Sequence, residues 1–158
     1  MEKDAINALA LLEEDHRRVR KAFRDYEWLW DKSFSKKKEL ADEICSELTI
    51  HTKIEEKLFY PTVRESIKEA SELLDQANVE HKSAKDLISD IKSMSVDDPL
   101  FDSSVKVLSE QIEHHLMEEE WELFPMVRKS NIDIVSLWRQ MLEMKQKEEW
   151  SFLKKIMW

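Results

Sequence analysis

The chain has 158 residues with no glycine and only three prolines, and its 25 basic and 34 acidic side chains give a net charge of −9. A chain without glycine lacks the Asn-Gly and Gly-Gly turns of tight β-hairpins, which argues against a β-sandwich or barrel. An acidic chain without a basic stripe is a poor partner for nucleic acid. Charged residues make up 37% of the sequence and are interspersed with Leu, Ile and Met, as in amphipathic helices. The composition predicts an all-α fold.

The N-terminal sequence has no feature of export or membrane insertion. Acidic residues precede a short apolar run at residues 8–12, which is neither a signal peptide nor long enough to span a bilayer. The single cysteine, Cys45, has no partner for an internal disulfide. We therefore expect a cytoplasmic protein with no membrane partner.

Apolar residues spaced by three and four predict five helices. The first is expected over about 4–31, and the second runs from an N-cap at Ser35 to Pro61. The third is expected over about 67–94, the fourth runs from the turn at 95–99 to Pro125, and the fifth covers about 132–157. Proline lacks an amide hydrogen and disrupts a helix interior. Pro61 is therefore expected to end or kink the second helix, and Pro125 to close the fourth.

The sequence contains an internal repeat. In residues 51–61 a histidine is followed by glutamate four and five positions later and by proline ten positions later, and residues 115–125 repeat this pattern. A second pattern, an acidic residue followed by His16 or by His81, recurs at nearly the same offset. The two halves of the chain therefore look like two copies of one structural unit.

The spacing within each copy predicts a helical hairpin. The two histidines of one copy are 34 or 35 residues apart, which is enough for a helix, a turn and a returning helix. We expect an antiparallel four-helix bundle made of two αα-hairpins over about residues 4–129, with an additional C-terminal helix over about 132–157. A single domain over residues 1–158 is the simplest organisation.

Six polar residues of the repeat fall on the apolar stripes of their helices and are expected to point inward. They are His16, His51, Glu55, His81, His115 and Glu119. Burying an ionised carboxylate without a partner costs several kcal/mol, and the same stripes contain no Lys or Arg. Two metal ions, each held by two histidines and bridged by both glutamates, would compensate. Nitrogen and oxygen ligands without a thiolate favour iron or manganese over structural zinc.

This pattern resembles the hemerythrin-like (HHE cation-binding) family. The resemblance covers about residues 8–129 and depends on the six positions in order and on the Tyr-Pro and Phe-Pro pairs that follow. It implies a non-haem di-iron centre with carboxylate and oxo or hydroxo bridges, manganese or zinc being alternatives. It also implies chemistry with dioxygen, nitric oxide or peroxide.

Two departures separate this chain from oxygen-carrying hemerythrins. Those proteins have a further ligand histidine four residues after the third, where this chain has Lys85. Their last ligand is an aspartate five residues after its histidine, whereas the repeat here favours Glu119 over Glu120. The four-His, two-Glu pattern is more similar to iron–sulfur cluster repair proteins and to peroxide-handling hemerythrin-like proteins.

Neighbouring residues are expected to have supporting roles. His114 points about 100° away from His115 and is interpreted as a surface or hydrogen-bonding group. Glu56, Glu118 and Glu120 are interpreted as solvated groups or as acceptors for histidine N–H groups. Tyr60, Trp121 and Phe124 are interpreted as walls of the site. The Trp-rich C-terminal helix is expected to pack across the bundle end or to form a homodimer interface.

These features predict a di-iron protein that reacts with peroxide, nitric oxide or dioxygen in scavenging or stress response, as a candidate oxidoreductase. One open alternative is a module for reversible binding or sensing of dioxygen or nitric oxide, and another is an iron donor in cluster repair. In each case the partner is a small molecule or an iron acceptor. A ferritin-like di-iron bundle is disfavoured because it needs Glu-x-x-His twice, and only Glu13 and His16 fit.

Overall fold

The structure, a computed structural model, describes residues 6–157. Its helices in chain order are α1 (Ala8–Glu27), α2 (Phe34–Ile54), α3 (Tyr60–Ser66), α4 (Ser71–Ser93), α5 (Phe101–Glu118), α6 (Phe124–Arg128) and α7 (Ile134–Met157). Two π-helical segments, Glu55–Phe59 and Glu119–Leu123, join α2 to α3 and α5 to α6, and a 3-10 turn precedes α4. Since residues 6–157 contain no strand, the predicted all-α class is confirmed.

The long helices form the predicted bundle of two hairpins. Helix α1 packs against α2 and α4 against α5, while contacts of α2 with α4 and of α1 with α5 join the two hairpins. Helix α7 packs on α1 and α2, burying Leu137 and Met141. The antiparallel four-helix bundle with an additional C-terminal helix is thus confirmed, and α7 covers the first hairpin. The assignment of the whole chain to one domain stays a prediction.

The two prolines begin short helices and do not end the bundle helices. Pro61 and Pro125 lie in the first turns of α3 and α6, where a missing amide hydrogen is tolerated. The Tyr60 amide donates to the carbonyl of Glu55, five residues earlier, and the second repeat has the same bond. The wider π turn gives the proline ring room beside the preceding turn. The prediction that Pro125 closes its helix is therefore wrong.

Helix α1 is shorter than the predicted range of 4–31. Asn7 caps its start, where Oδ1 accepts from the Ala10 amide at 2.9 Å, and the first five residues of the chain lie outside the described part. The helix ends at Glu27, and Trp30 beyond it is 84% exposed. The apolar spacing of the predicted helix 4–31 includes Trp30 in its inward-facing stripe, and this part of the prediction is wrong because Trp30 lies beyond the end of α1 and is exposed.

Other helix starts also differ from the predicted ones. Ser35 lies inside α2, and Ser33 at the cap position makes no side-chain hydrogen bond. The 3-10 turn Lys68–Ala70 delays α4 to Ser71. Helix α7 begins at Ile134, two residues after the predicted start. These differences leave the facing sides of the helices unchanged.

The buried interior has two hydrophobic parts with a polar layer between them. One part, near α3, α6 and α7, includes Phe59 and Phe124. The other includes Phe23, Phe101 and Cys45, which packs as a small apolar residue. The polar layer contains Asp15, His16, His51, Glu55, His81, His115 and Glu119. The candidate site therefore occupies the middle of the bundle.

The C-terminal half of α7 leaves apolar surface exposed. Trp138 packs against the core, whereas Trp150 and Ile156 are 57% and 80% exposed. Trp158 lies outside the described residues. The homodimer through this helix stays a prediction. Within residues 6–157, the helices all fall short of the length and apolarity needed to cross a membrane.

Candidate metal centre

The six predicted ligand residues meet in the polar layer, each with at most 4% of its surface exposed. Their nitrogen and oxygen atoms lie within 4.8 Å of one another in two groups, the first with His16, His51, Glu55 and Glu119, the second with Glu55, His81 and His115. Each group contains both histidines of one hairpin. The apolar stripes that the sequence predicts therefore bring the four bundle helices together at one point.

The two glutamates lie between the histidine pairs. Glu55 Oε1 is 3.3 Å from His51 Nε2 and 3.1 Å from His81 Nε2. Glu119 Oε1 is placed in the same way, at 3.5 and 3.3 Å from one Nε2 atom of each hairpin. A carboxylate between two histidine pairs is the position from which it can bridge two cations.

Each of the four histidines donates its Nδ1–H to a carboxylate. The pairs are His16 with Glu120 at 2.8 Å, His51 with Asp15 at 2.9 Å, His81 with Glu56 at 3.0 Å and His115 with Glu80 at 2.8 Å. Because an ionised carboxylate only accepts, the proton lies on Nδ1 and Nε2 faces the centre of the bundle. A carboxylate behind the imidazole is the usual way in which a metal-binding histidine is oriented.

These carboxylates follow the sequence repeat. Asp15 and Glu80 precede the first histidine of each copy and bind the second histidine of the same hairpin. Glu56 and Glu120 follow the ligand glutamates and bind across to the other hairpin. The sequence predicts acceptor roles for Glu56 and Glu120 but not for Asp15 and Glu80. The roles of Asp15 and Glu80 could have been predicted from the repeat, because an acidic residue precedes the first histidine in both copies.

Several inward-facing atoms of the centre have no hydrogen-bond partner. Among the described residues these buried atoms are His16 Nε2, His51 Nε2, both carboxylate oxygens of Glu55 and Glu119 Oε1. A buried polar atom left unpaired costs about 1–3 kcal/mol. Nitrogen and oxygen donors that converge without partners are the donor set of a transition-metal site. The residues present therefore fit a pair of cations.

The carboxylates also control the charge of the imidazoles. Burial opposes a charge on His51, but the Glu55 carboxylate and the hydrogen bond to Asp15 outweigh it and raise the pKa of His51 to about 10. Burial likewise opposes a charge on His115, and the Glu119 carboxylate outweighs it, raising that pKa well above its ordinary value. A metal ion must displace these protons, so metal uptake releases protons.

Tyr60 breaks the symmetry of the centre. Its hydroxyl donates to Glu119 Oε2 at 2.9 Å and lies 3.2 Å from His81 Nε2. Burial, and then the charges of Glu119 and Glu55, raise the pKa of Tyr60 well above its ordinary value, so the hydroxyl stays protonated. The equivalent residue of the repeat is Phe124, which stacks on a histidine without a polar group. The sequence predicts walls of the site at Tyr60, Trp121 and Phe124. The Tyr60 hydroxyl lies among the ligand atoms, and Phe124 lines the site, but Trp121 is 75% exposed, so the prediction is wrong for Trp121.

Lys85, at the position of the further histidine of oxygen carriers, does not reach the centre. Its side chain is half exposed, and Nζ donates to Glu56 Oε1 at 2.7 Å. Glu56 in turn accepts from His81 Nδ1. Lys85 therefore supports the carboxylate that orients His81, and leaves the second group of ligand atoms with two histidines.

The C-terminal helix reaches the centre through one ion pair. Lys145 Nζ donates to Asp15 Oδ1 at 2.6 Å. Burial of Asp15 opposes its ionisation, but the hydrogen bond and charge of His51, together with Lys145, lower its pKa to about 2. Among the described residues, the equivalent carboxylate, Glu80, is more exposed and has no lysine beside it. Besides the bond from His115 it receives a long bond from Gln76, and His114 Nε2 lies 3.7 Å away. The carboxylate behind His51 is therefore paired with a lysine of α7, whereas the carboxylate behind His115 has no such partner within residues 6–157.

Comparisons with known proteins also indicate a cation-binding domain. The sequence model of the family described as the hemerythrin HHE cation binding domain matches residues 7–127. A crystal structure of a hemerythrin HHE cation binding domain-containing protein from Mycobacterium kansasii superposes with a TM-score of 0.79 at 25% identity, over 95% of this chain and 91% of that one. A relative from Nostoc sp., described as a DNA nickase, is 28% identical over 152 residues, which are 95% of this chain and 38% of the relative.

Proposed function

The chain belongs to the hemerythrin HHE cation-binding domain family, and we propose that its interior holds two iron ions for reaction with peroxide, nitric oxide or dioxygen. The observation that carries this proposal is the convergence of unpartnered nitrogen and oxygen atoms in the buried polar layer. Iron suits four imidazoles and two carboxylates without a thiolate, and manganese or zinc are alternatives.

Each side chain of the centre has a defined part in this proposal. His16 and His51 would hold one ion, and His81 and His115 the other, with both glutamates between them. Bound iron supplies Lewis-acid and redox chemistry. The protein contributes fixed histidine orientations through the carboxylates behind them, and a buried setting in which polar interactions are strong.

Tyr60 supports a reactive centre. Its hydroxyl holds a proton at Oη in the middle of the site, 2.9 Å from Glu119 Oε2 and 3.4 Å from His115 Nε2. A buried proton donor beside the ligand atoms is what reduction of peroxide or of nitric oxide needs, because the product oxygen must be protonated. Reversible dioxygen binding needs no such donation. Scavenging is therefore the function that these residues favour.

A sensing module is the second candidate, and one contact favours it. The bond from Lys145 to Asp15 joins α7 to the residue that orients His51. A change at His51 could therefore reach the exposed apolar end of α7. For an iron donor in cluster repair we find less support, because all six ligand residues are almost fully buried and a donor must release its iron to a partner.

The activity named for the Nostoc relative is not part of the proposed function of this chain. The chain spans 38% of the length of that relative, so the named activity can reside in the remainder. A net charge of −9 also opposes binding to a phosphate backbone.

The test is iron content followed by reactivity. Metal-free protein loaded with Fe²⁺ without oxygen, and then desalted, should retain two ions per chain. The variants His51→Ala and Glu119→Ala should retain none or one, whereas His114→Ala, which removes an exposed histidine, should retain two after full equilibration. Loaded protein should then consume repeated additions of hydrogen peroxide, which can disproportionate to water and dioxygen without an added reductant. It should consume repeated additions of nitric oxide only when an electron donor such as ascorbate is supplied, because each reduction to nitrous oxide oxidises both ferrous ions.

The outcomes separate the candidate functions. Retention of two ions by both ligand variants would show that His51 and Glu119 do not hold the metal. A reversible colour change with dioxygen or nitric oxide, without repeated consumption of peroxide or nitric oxide, would favour the sensing module over the scavenger.

A further inference from the structure

We propose that the outer face of the α4–α5 hairpin is the entrance for metal ions, beginning at a surface cation site formed by Glu80, His114 and Glu118. This inference rests on the proposed function, because an entrance has a purpose only if the interior binds metal. It assigns a task to His114, which the sequence alone suggests is a surface or hydrogen-bonding group.

The three side chains have the geometry of a weak metal site. His114 Nε2 lies 3.1 Å from Glu118 Oε1, four residues along α5, and 3.7 Å from Glu80 Oε2 on α4. Their ligand-type atoms all lie within 4.8 Å of one another. His114 is exposed and both glutamates are partly exposed, so an ion from solution reaches them directly. Gln76 donates to both oxygens of Glu118. When an ion binds, the Gln76 side chain would rotate away or bind the ion through its amide oxygen. One imidazole and two carboxylates suit Fe²⁺, Mn²⁺, Co²⁺ or Zn²⁺.

The surface site is joined to the buried centre. Glu80 uses its other oxygen, Oε1, to accept from His115 Nδ1 at 2.8 Å. A narrow cleft of about 10 Å³ is lined by Glu80 and Glu118 outside and by His115 and Glu119 inside. Glu119 is 2% exposed, and its Oε1 has no hydrogen-bond partner. A cavity of this volume is about the size of one water molecule, so it suits an ion that sheds its water and excludes an organic substrate.

The internal repeat allows this face to be compared with the corresponding face of the first hairpin, which is closed. In the first hairpin the positions of His114 and Glu118 are taken by Ile50 and Ile54, which are 7% and 0% exposed. They pack in the same hydrophobic cluster as Leu137 of α7, which covers that face. The repeat therefore has one face closed by an added helix and one face open and lined with metal-binding side chains. An open face with ligands beside a closed one without them is the arrangement expected of an entrance.

The experiment measures the rate of metal uptake, using Co²⁺ as the probe. Metal-free full-length protein is mixed with Co²⁺, and the visible absorption of the bound ion is followed in time. The test variant is His114→Ala combined with Glu118→Gln. The matched control is Glu110→Gln, which removes one negative charge from an exposed position of the same helix. Far-UV circular dichroism checks that both variants are folded.

All three proteins should finally bind two interior ions, with different rates. We expect the double variant to load about tenfold more slowly than wild type and the control to stay within about twofold, in line with the gain that a charged funnel gives to association. With the interior filled, calorimetric titration should detect one further weak Co²⁺ site in wild type and in the control, and none in the double variant.

Equal loading rates in wild type and the double variant, with two ions bound in each, would overturn the entrance. The absence of a further weak site in wild type would overturn the surface cation site. If wild type itself bound no interior ion, the proposed function would fail instead, so the two failures are distinguishable.

Discussion

Lys145 Nζ and Asp15 Oδ1 lie 2.6 Å apart, and the other oxygen of Asp15 accepts from His51 Nδ1 at 2.9 Å. Helix α7 is therefore connected to a candidate metal ligand, His51, through a single intervening residue, Asp15. The contact is confined to the first hairpin, because the equivalent carboxylate, Glu80, has no lysine beside it among the described residues. The two proposed metal positions consequently differ in the groups behind their histidines, although their ligands are equivalent.

Replacing Lys145 with methionine should weaken metal binding without unfolding the protein. The substitution leaves Asp15 buried with Arg18 as its remaining cationic neighbour, so the carboxylate orients His51 less firmly. We expect the affinity for Co²⁺, measured by competition with a chelator, to fall about tenfold, the lower end of the range for groups that support a ligand. Lys147→Met is the matched control, because Lys147 is exposed and, within residues 6–157, pairs with Glu143 of the same helix. Equal affinities of the two variants would show that the contact with Asp15 has no effect on the site.

Replacing Tyr60 with phenylalanine should reduce reactivity and leave the fold intact. The repeat already has phenylalanine at the equivalent position, Phe124, so the site accommodates the ring. We expect two bound iron ions, a loss of stability of about 1–3 kcal/mol because Glu119 Oε2 loses its donor, and peroxide consumption slower by about a hundredfold because the hydroxyl supplies the proton.

The control for this variant is Tyr26→Phe. Tyr26 also donates to a carboxylate, that of Asp102 at 2.6 Å, in the hydrophobic part of the bundle away from the centre. It should lose a similar amount of stability and keep wild-type turnover. Normal turnover in Tyr60→Phe would assign the proton to another donor.

Metal loading should stabilise the fold. Cations bind the assembled centre and not the unfolded chain, so a free metal concentration one hundred times the dissociation constant adds about 2.7 kcal/mol to the free energy of unfolding. For a chain of this length that corresponds to a rise of about 5–10 °C in melting temperature. Calorimetry of the metal-free and loaded forms measures it. His51→Ala should show a smaller rise, and an unchanged midpoint in wild type would mean that something other than metal satisfies the buried atoms.

Cys45 should make stability depend on pH in the alkaline range. Burial raises the pKa of its thiol from 9.0 to about 11. The unfolded chain therefore ionises first, so the stabilisation is complete below pH 9 and is lost as pH rises towards 11. Between pH 8 and pH 10 the free energy of unfolding should fall by about 1 kcal/mol more in wild type than in Cys45→Ala. Denaturant titrations at the two pH values measure this difference, and equal losses in both proteins would contradict it.

The same burial should protect Cys45 from thiol reagents at pH 8. Native protein is expected to react only during transient opening of the bundle. Loading with metal should slow this reaction further, which gives a second reading of the stabilisation by metal that does not depend on heating.

The bundle and the convergence of the six residues followed from periodicity and from the repeat. Apolar spacing determines which side of a helix faces inward, and this holds for the residues inside α1 and α2 although their predicted ends, at Asp31 and Ser35, are misplaced. The helix ends depend on local hydrogen bonds, and a serine in the sequence does not reveal whether its hydroxyl caps an amide.

The π-helical turns could not be predicted from helical spacing. A proline inside a periodic segment is compatible with an ended, a kinked or a widened helix, and the choice depends on packing from other helices. The task of Tyr60 depends in the same way on its tertiary neighbours, because a tyrosine hydroxyl 59 positions away in the sequence from Glu119 has no local pattern. Asp15 and Glu80, by contrast, were visible in the repeat and needed only the chemistry of histidine orientation to be interpreted.

The polar layer between the two hydrophobic parts of the core bears on the fate of the chain in a cell. Without cations, the protein has a seam of unpartnered buried atoms across its middle, and such a chain opens more often and meets proteases more often. We expect starvation for iron to shorten the half-life of the protein and iron repletion to lengthen it. Its abundance would then follow the metal supply through turnover alone, with no need for a dedicated regulator of its synthesis.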